Sequence, residues 1–276
     1  MSNVPVSRRA VLVSAPVGIL GMSAIAQPSR PVEPAPSSDP GTASAFPETF
    51  PAQDPELVRG IVGASHANLP RVQELLKQAP QLATAAWDWG FGDWETALGA
   101  ASHTGRRDIA EVLMAHGARP DLFTHAMLGN LDVVKATVQA MPGIQRTLGP
   151  HGITLMRHAQ AGREAAAPVV AYLTELGDAD NGYRNDELTA KDRERYHGTY
   201  AFGPAENDAF EVLDDNQGRL SLRRVGDSSR RLFCQGDHAF IPAGAKDVTI
   251  QFEISGDVAT GLRITTPAPL TSAVRK

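Results

Sequence analysis

The stretch TALGAASHTGRRDIAEVLMAHGARPD, residues 96–121, decides the reading of the whole chain. It reads as two short helices joined by a tight turn. Ile109, Val112 and Leu113 fall at i, i+3 and i+4, so one face of the second helix is apolar and must be buried against a neighbour. Gly105 and Gly117 follow the two helices, where the backbone needs a left-handed residue to end each one. A single helix pair cannot bury its own apolar stripe, so the pattern calls for copies to stack against.

Copies are present on both sides. At an offset of 37 residues, Ala64-Ser65-His66 lies on Ala101-Ser102-His103, and Val72, Leu75 and Leu76 lie on Ile109, Val112 and Leu113. At an offset of 24, Gly129 lies on Gly105 and Val133 on Ile109. A further unit opens at Gly152-Ile153-Thr154-Leu155, turns at Gly162, restarts at Pro168 and closes at Gly177-Asp178-Ala179-Asp180. On these residues the chain from about 54 to 180 resembles the ankyrin-repeat family, in about four units. The resemblance implies a stack that binds another protein on its concave or projecting face.

The amino terminus carries a different signal. Ser7-Arg8-Arg9-Ala10-Val11-Leu12 leads into a modestly apolar run without an acidic residue, ending in the small-x-small site Ala24-Ile25-Ala26. Residues 1–26 read as a removable export signal cleaved after Ala26, too short to be a spanning helix. The pair Arg8 and Arg9 resembles the twin-arginine type. A bacterial periplasmic or secreted location follows as an expectation, with no membrane contact once the signal is removed. Removing Arg8 and Arg9 takes the formal charge from −5 to −7, a balance that argues against nucleic acid as a partner. Residues 27–53 are proline-rich with little periodicity and read as a disordered tether.

Beyond Asp180 the texture changes. Residues 188–276 show short β-type runs broken by turn residues, as at Asp214-Asp215-Asn216-Gln217-Gly218 and Ser255-Gly256-Asp257, and read as a small antiparallel β meander or barrel. Tyr196-His197-Gly198-Thr199-Tyr200, the Gly218-Arg219-Leu220 hairpin and Val248-Thr249-Ile250-Gln251-Phe252 resemble the small lipocalin-like domain appended to many bacterial serine hydrolases. In that setting the domain is accessory and supplies no catalytic residue. The expected fold class is therefore multidomain: an all-α ankyrin-repeat solenoid followed by a small antiparallel β domain.

Signatures of chemistry are sparse. Ser-x-x-Lys, Gly-x-Ser-x-Gly, His-Glu-x-x-His and a phosphate-binding glycine loop do not occur. The eight histidines are dispersed, and His66 and His103, at equivalent positions of two units, read as helix caps rather than metal ligands. Cys234 is the single cysteine and reads as a small buried hydrophobe in a strand. No cofactor, metal or catalytic residue is expected.

One cluster stands out. Trp87-Asp88-Trp89-Gly90-Phe91-Gly92-Asp93-Trp94 holds all three tryptophans immediately ahead of the residue 96–121 unit, where such stacks project a finger. Trp87, Asp88, Trp89, Phe91, Asp93 and Trp94 are candidates for partner binding, since clustered aromatics offer large contact area at modest entropy cost. The competing reading packs these rings onto the first helix pair or the β-domain. The function expected from sequence is non-catalytic protein binding or scaffolding. A hydrolase-like enzyme or small-ligand binder working in a cleft between the two parts is the alternative.

Overall fold

The computed structural model describes residues 52–276. Arg8, Arg9, Ala26 and almost all of the tether lie outside the described residues. Among the described residues there are nine α-helices, of five to ten residues each, and a closed eight-stranded antiparallel barrel. No helix among them is long and apolar enough to cross a membrane.

The first eight helices come in consecutive pairs: α1 (Pro55–Ala64) with α2 (Leu69–Gln78), α3 (Ala97–His103) with α4 (Arg107–Ala115), α5 (Leu122–Leu128) with α6 (Leu131–Ala140), and α7 (Leu155–Ala161) with α8 (Ala167–Leu176). Their starts are set by side-chain caps. Thr96, Asp121 and Thr154 each accept a hydrogen bond from the backbone N–H three residues on, and Asp54 caps α1 from Glu56 with Pro55 at the first helical position. Ile61, Val72, Leu75, Leu76, Leu82, Ile109 and Leu113 make one buried cluster, and Leu155, Val169 and Leu173 anchor a second. Gly105 sits at φ 69°, and a Cβ there would run into the carbonyl oxygen of Ala161, so both conformation and close approach require glycine.

The barrel runs in the closed order β10-β3-β4-β5-β6-β7-β8-β9, where β3 is Gly198–Ala201, β4 Ala209–Asp214, β5 Leu220–Arg224, β6 Arg230–Gly236, β7 Ala239–Pro242, β8 Thr249–Ser255, β9 Val258–Thr265 and β10 Pro269–Arg275. Alternation along the strands fills its interior: in β8, Ile250 and Phe252 point inward while Gln251 and Glu253 face solvent. Tyr196, Phe240 and Phe252 pack with ring centroids 4.9–5.5 Å apart, and Tyr200 is fully buried beside Phe252. This barrel core is packed with aromatic rings, unlike the roomy apolar pocket of a ligand-carrying barrel. Cys234 points into the same core.

These features correct the expected fold class. The chain is not an all-α solenoid with a small β appendage but a mixed structure, in which a closed barrel of eight strands stands beside short helices. Two physical reasons account for the difference. Residues 86–96 form a β hairpin, with β1 (Ala86–Asp88) paired to β2 (Trp94–Thr96), inserted between the first and second helix pairs. The barrel is also joined to the helices through buried groups: Phe91 of the hairpin packs on the barrel core, and Arg230 of β6 pairs with Asp93. The connecting segment adds to the joint, since Asn185 Oδ1 accepts from Cys234 N and Asp186 N donates to Cys234 O.

Candidate metal centre

Helix ends and the hairpin bring four side chains together. His66 follows the end of α1, His103 is the last residue of α3, Glu95 lies on β2, and His151 sits in a 3-10 turn (Pro150–Gly152). One ligand atom from each falls within 4.8 Å of the other three. Glu95 is fully buried at the centre: His103 Nε2 lies 2.8 Å and His151 Nε2 3.3 Å from its Oε1, and His66 Nε2 lies 3.5 Å from its Oε2. A tetrahedral ion with bonds of about 2.0–2.1 Å separates its ligand atoms by about 3.3 Å. The histidine-to-carboxylate distances of 2.8–3.5 Å straddle that value, while the four ligand atoms as a set are spread over up to 4.8 Å, so binding an ion would draw them closer together.

Outer partners orient the rings. His66 Nδ1 faces the carbonyl oxygens of Val62 and Gly63 at 3.2 and 3.1 Å, and carbonyls only accept, so Nδ1 carries the hydrogen and Nε2 points inward. His151 Nδ1 donates to Asp93 Oδ2 at 2.7 Å, which likewise leaves Nε2 toward Glu95. A carboxylate behind a ligating imidazole is the usual outer support of a protein metal site. The indole N–H of Trp89 donates to Glu95 Oε2 at 2.7 Å and fixes the carboxylate. His151 itself holds a left-handed backbone at φ 59°, a conformation that persists only where surroundings enforce it. Here the enforcement is visible, because Asp93 Oδ1 also accepts from the His151 backbone N–H at 2.9 Å.

The charges of the metal-free cluster follow from these contacts. Burial alone would raise the Glu95 carboxyl, but hydrogen bonds from His103 and His151 outweigh it and bring it down to about 2. Burial works against the His151 cation, yet its bonds to Asp93 and Glu95 push it up to about 9. Asp93 is held below the ordinary carboxylate range in spite of burial, through His151 and Arg230. The Glu95 contribution to stability is present above its ordinary 4.5 and lost as pH falls through about 2. The His151 contribution is whole below its ordinary 6.5 and lost as pH rises through about 9. The melting temperature of metal-free protein is therefore expected to be highest between about pH 4.5 and 6.5 and to fall on the alkaline side; a profile flat from pH 6 to 9 would contradict the network.

The centre borders a cleft. His103 and His151 line a cleft of ≈ 940 Å³ whose other walls are α7, the segment around Tyr183, and the barrel at Arg219, Arg230 and Arg231. His158, behind His103, is buried and pulled down to about 4 by that burial, so it stays neutral and serves as packing against Phe123.

The six aromatic-stretch candidates separate. Trp87 packs on the helical core, Asp88 accepts from Gly90 N inside the hairpin, Trp89 holds Glu95, Phe91 meets the barrel core, and Asp93 holds His151 and Arg230. Trp94 alone of the six is widely exposed, at 63%. The sequence reading gave His66 and His103 a capping role, and the His66 Nδ1 contacts fit that; it did not foresee that their Nε2 atoms converge with Glu95 and His151. The available signals were the equal placement of the two histidines in their units and the Asp93-x-Glu95 alternation, which puts two carboxylates on one side of an extended chain.

Comparison with protein families finds no match over this chain, and comparison with curated proteins finds none either.

Proposed function

We propose that this protein holds a divalent transition-metal ion, with zinc the natural fit, at His66, Glu95, His103 and His151, and presents it to the cleft for metal-assisted chemistry on a small molecule. The carrying observation is the convergence of three imidazole Nε2 atoms on a fully buried carboxylate, two of the rings being oriented by partners at Nδ1. A donor set of three nitrogens and one oxygen suits zinc and its first-row neighbours and disfavours calcium or magnesium. A bound ion of this kind supplies a Lewis acid and an activated water near neutral pH. His103 and His151 line the cleft, so a molecule bound there can reach the centre, and this favours the hydrolase-like alternative over a purely non-catalytic role. The test is metal uptake by chelator-treated protein. One zinc per chain, retained through gel filtration, is expected; absence of uptake would overturn the reading.

A second reading, protein binding through the hairpin, is favoured by Trp94, whose ring is left in solvent while its neighbours turn inward. Trp94→Ala is then expected to leave the melting transition within about 0.5 kcal/mol of wild type while lowering recovery of a captured protein partner. Unchanged recovery would remove this reading.

A further inference from the structure

The lining of the cleft has an unusual charge pattern. Arg157, Arg219, Arg230 and Arg231 line it, against Asp180 as the one lining carboxylate. Three of these arginines are already paired: Arg157 with Asp180, Arg219 with Asp215, and Arg230 with Asp93. The Arg231 side chain has no hydrogen-bond or ion-pair partner among the described residues, although its backbone carbonyl accepts from Ala243 N in the sheet. Its guanidinium instead lies over the Phe233 ring, 4.4 Å from the centroid, and Phe233 is held edge-on by Tyr183 at 5.0 Å.

A guanidinium held over an aromatic ring spends none of its N–H donors on conventional hydrogen bonds, so they stay free for a ligand. Burial, and after it the charge of Arg219, works against the Arg231 cation. Asp215, paired with Arg219, supports the Arg231 cation from a distance but does not touch it, so this half-buried guanidinium has no acid in contact and a bound anion would stabilise it further. The metal centre does not neutralise it. With neutral imidazoles and Asp93 paired to Arg230, Glu95 alone offsets a divalent ion, so the cleft keeps a positive excess that includes Arg231.

We propose that the cleft takes a small molecule carrying a carboxylate or phosphate group, held by the free N–H donors of Arg231 in the field of Arg219, with its remainder directed toward His103 and His151. The direction of that remainder rests on the metal reading above; the anion contact itself does not. Arg231 is thus a specificity residue, selecting anionic substrates for the metal centre by a planar, two-point contact.

The experiment is calorimetric titration of the full chain, carrying one equivalent of bound zinc and no excess, with inorganic phosphate and with succinate. Zinc content is measured on every sample, so failure of the metal reading appears there as zinc-free wild type. Expected is saturable binding of at least one probe, weakened tenfold or more in Arg231→Ala and only partly restored in Arg231→Lys, with zinc content and melting temperature unchanged. The tighter probe assigns the group as phosphate or carboxylate. Equal affinity of wild type and Arg231→Ala, or no binding of either probe at millimolar concentration, would overturn the proposal. Arg231-dependent binding that is the same with and without zinc would overturn the orientation toward His103 and His151.

Discussion

Replacing His103 with alanine is expected to lower zinc affinity by at least about 100-fold, more than the roughly 10- to 100-fold that loss of an outer partner costs a metal site. Of the three histidines His103 comes nearest to Glu95, at 2.8 Å, and its side chain is only 10% exposed, so water cannot readily take its place in the same geometry. The effect should appear as loss of ligand-linked stabilisation. Zinc at about a thousand times its dissociation constant stabilises a wild-type fold by about 4 kcal/mol, and the variant at the same concentration should gain no more than about 1.4 kcal/mol. His116→Ala is the control, because His116 sits on the exposed end of α4, bonded to the Val112 carbonyl and outside the cluster. If thermal scans show both variants responding to zinc as wild type does, His103 is not a ligand.

The second large effect is expected at Asp93. Its carboxylate is 2% exposed and takes three hydrogen bonds, from the His151 backbone, from His151 Nδ1 and from Arg230 Nη1, the last at 2.9 Å. Gly244, at φ 80°, lies so close that a side chain there would overlap the carboxylate, which shows how tightly the barrel closes over it. Asp93→Ala leaves Arg230, 12% exposed, without its carboxylate. Breaking such a buried pair from one side costs about 3–5 kcal/mol, because the remaining charge is left largely out of water with only the Ala243 carbonyl as a partner. The same change frees the His151 ring and should weaken zinc binding by about 10- to 100-fold. Denaturant unfolding that places Asp93→Ala within 1 kcal/mol of wild type would mean that this group does not join hairpin and barrel as described.

Both effects arise from residues whose importance was only partly legible in the sequence. Local rules located much of the scaffold: the stripe of Ile109 and Leu113 is buried, and Gly105, Gly117, Gly129 and Gly177 all adopt positive φ where helices end. Short-range pattern also points to strands such as β5 and β8. It fails for β7, four residues long, and for β10, whose Pro269 and Thr271 hide the alternation. The class assignment failed for a related reason. Helical periodicity is a strong signal over many residues, whereas three-residue strands β1 and β2 leave almost none, so the hairpin read as a loop of a helical stack. The metal centre is still less legible. Its ligands run from residue 66 to residue 151 without a spacing motif, and they meet only because two helix ends, a hairpin and a left-handed turn are folded against one another. Tryptophans around Glu95 signalled a special place, but not that Trp89 would serve a carboxylate.

X-ray absorption at the zinc edge, on the full chain loaded with one equivalent, tests the central claim most directly. The account predicts a first shell of nitrogen and oxygen at about 2.0–2.1 Å with the outer scattering of three imidazoles, and loss of one imidazole in His103→Ala. A first shell containing sulfur at about 2.3 Å, from Cys234, or a shell with fewer than two imidazoles, would place the ion elsewhere and contradict it.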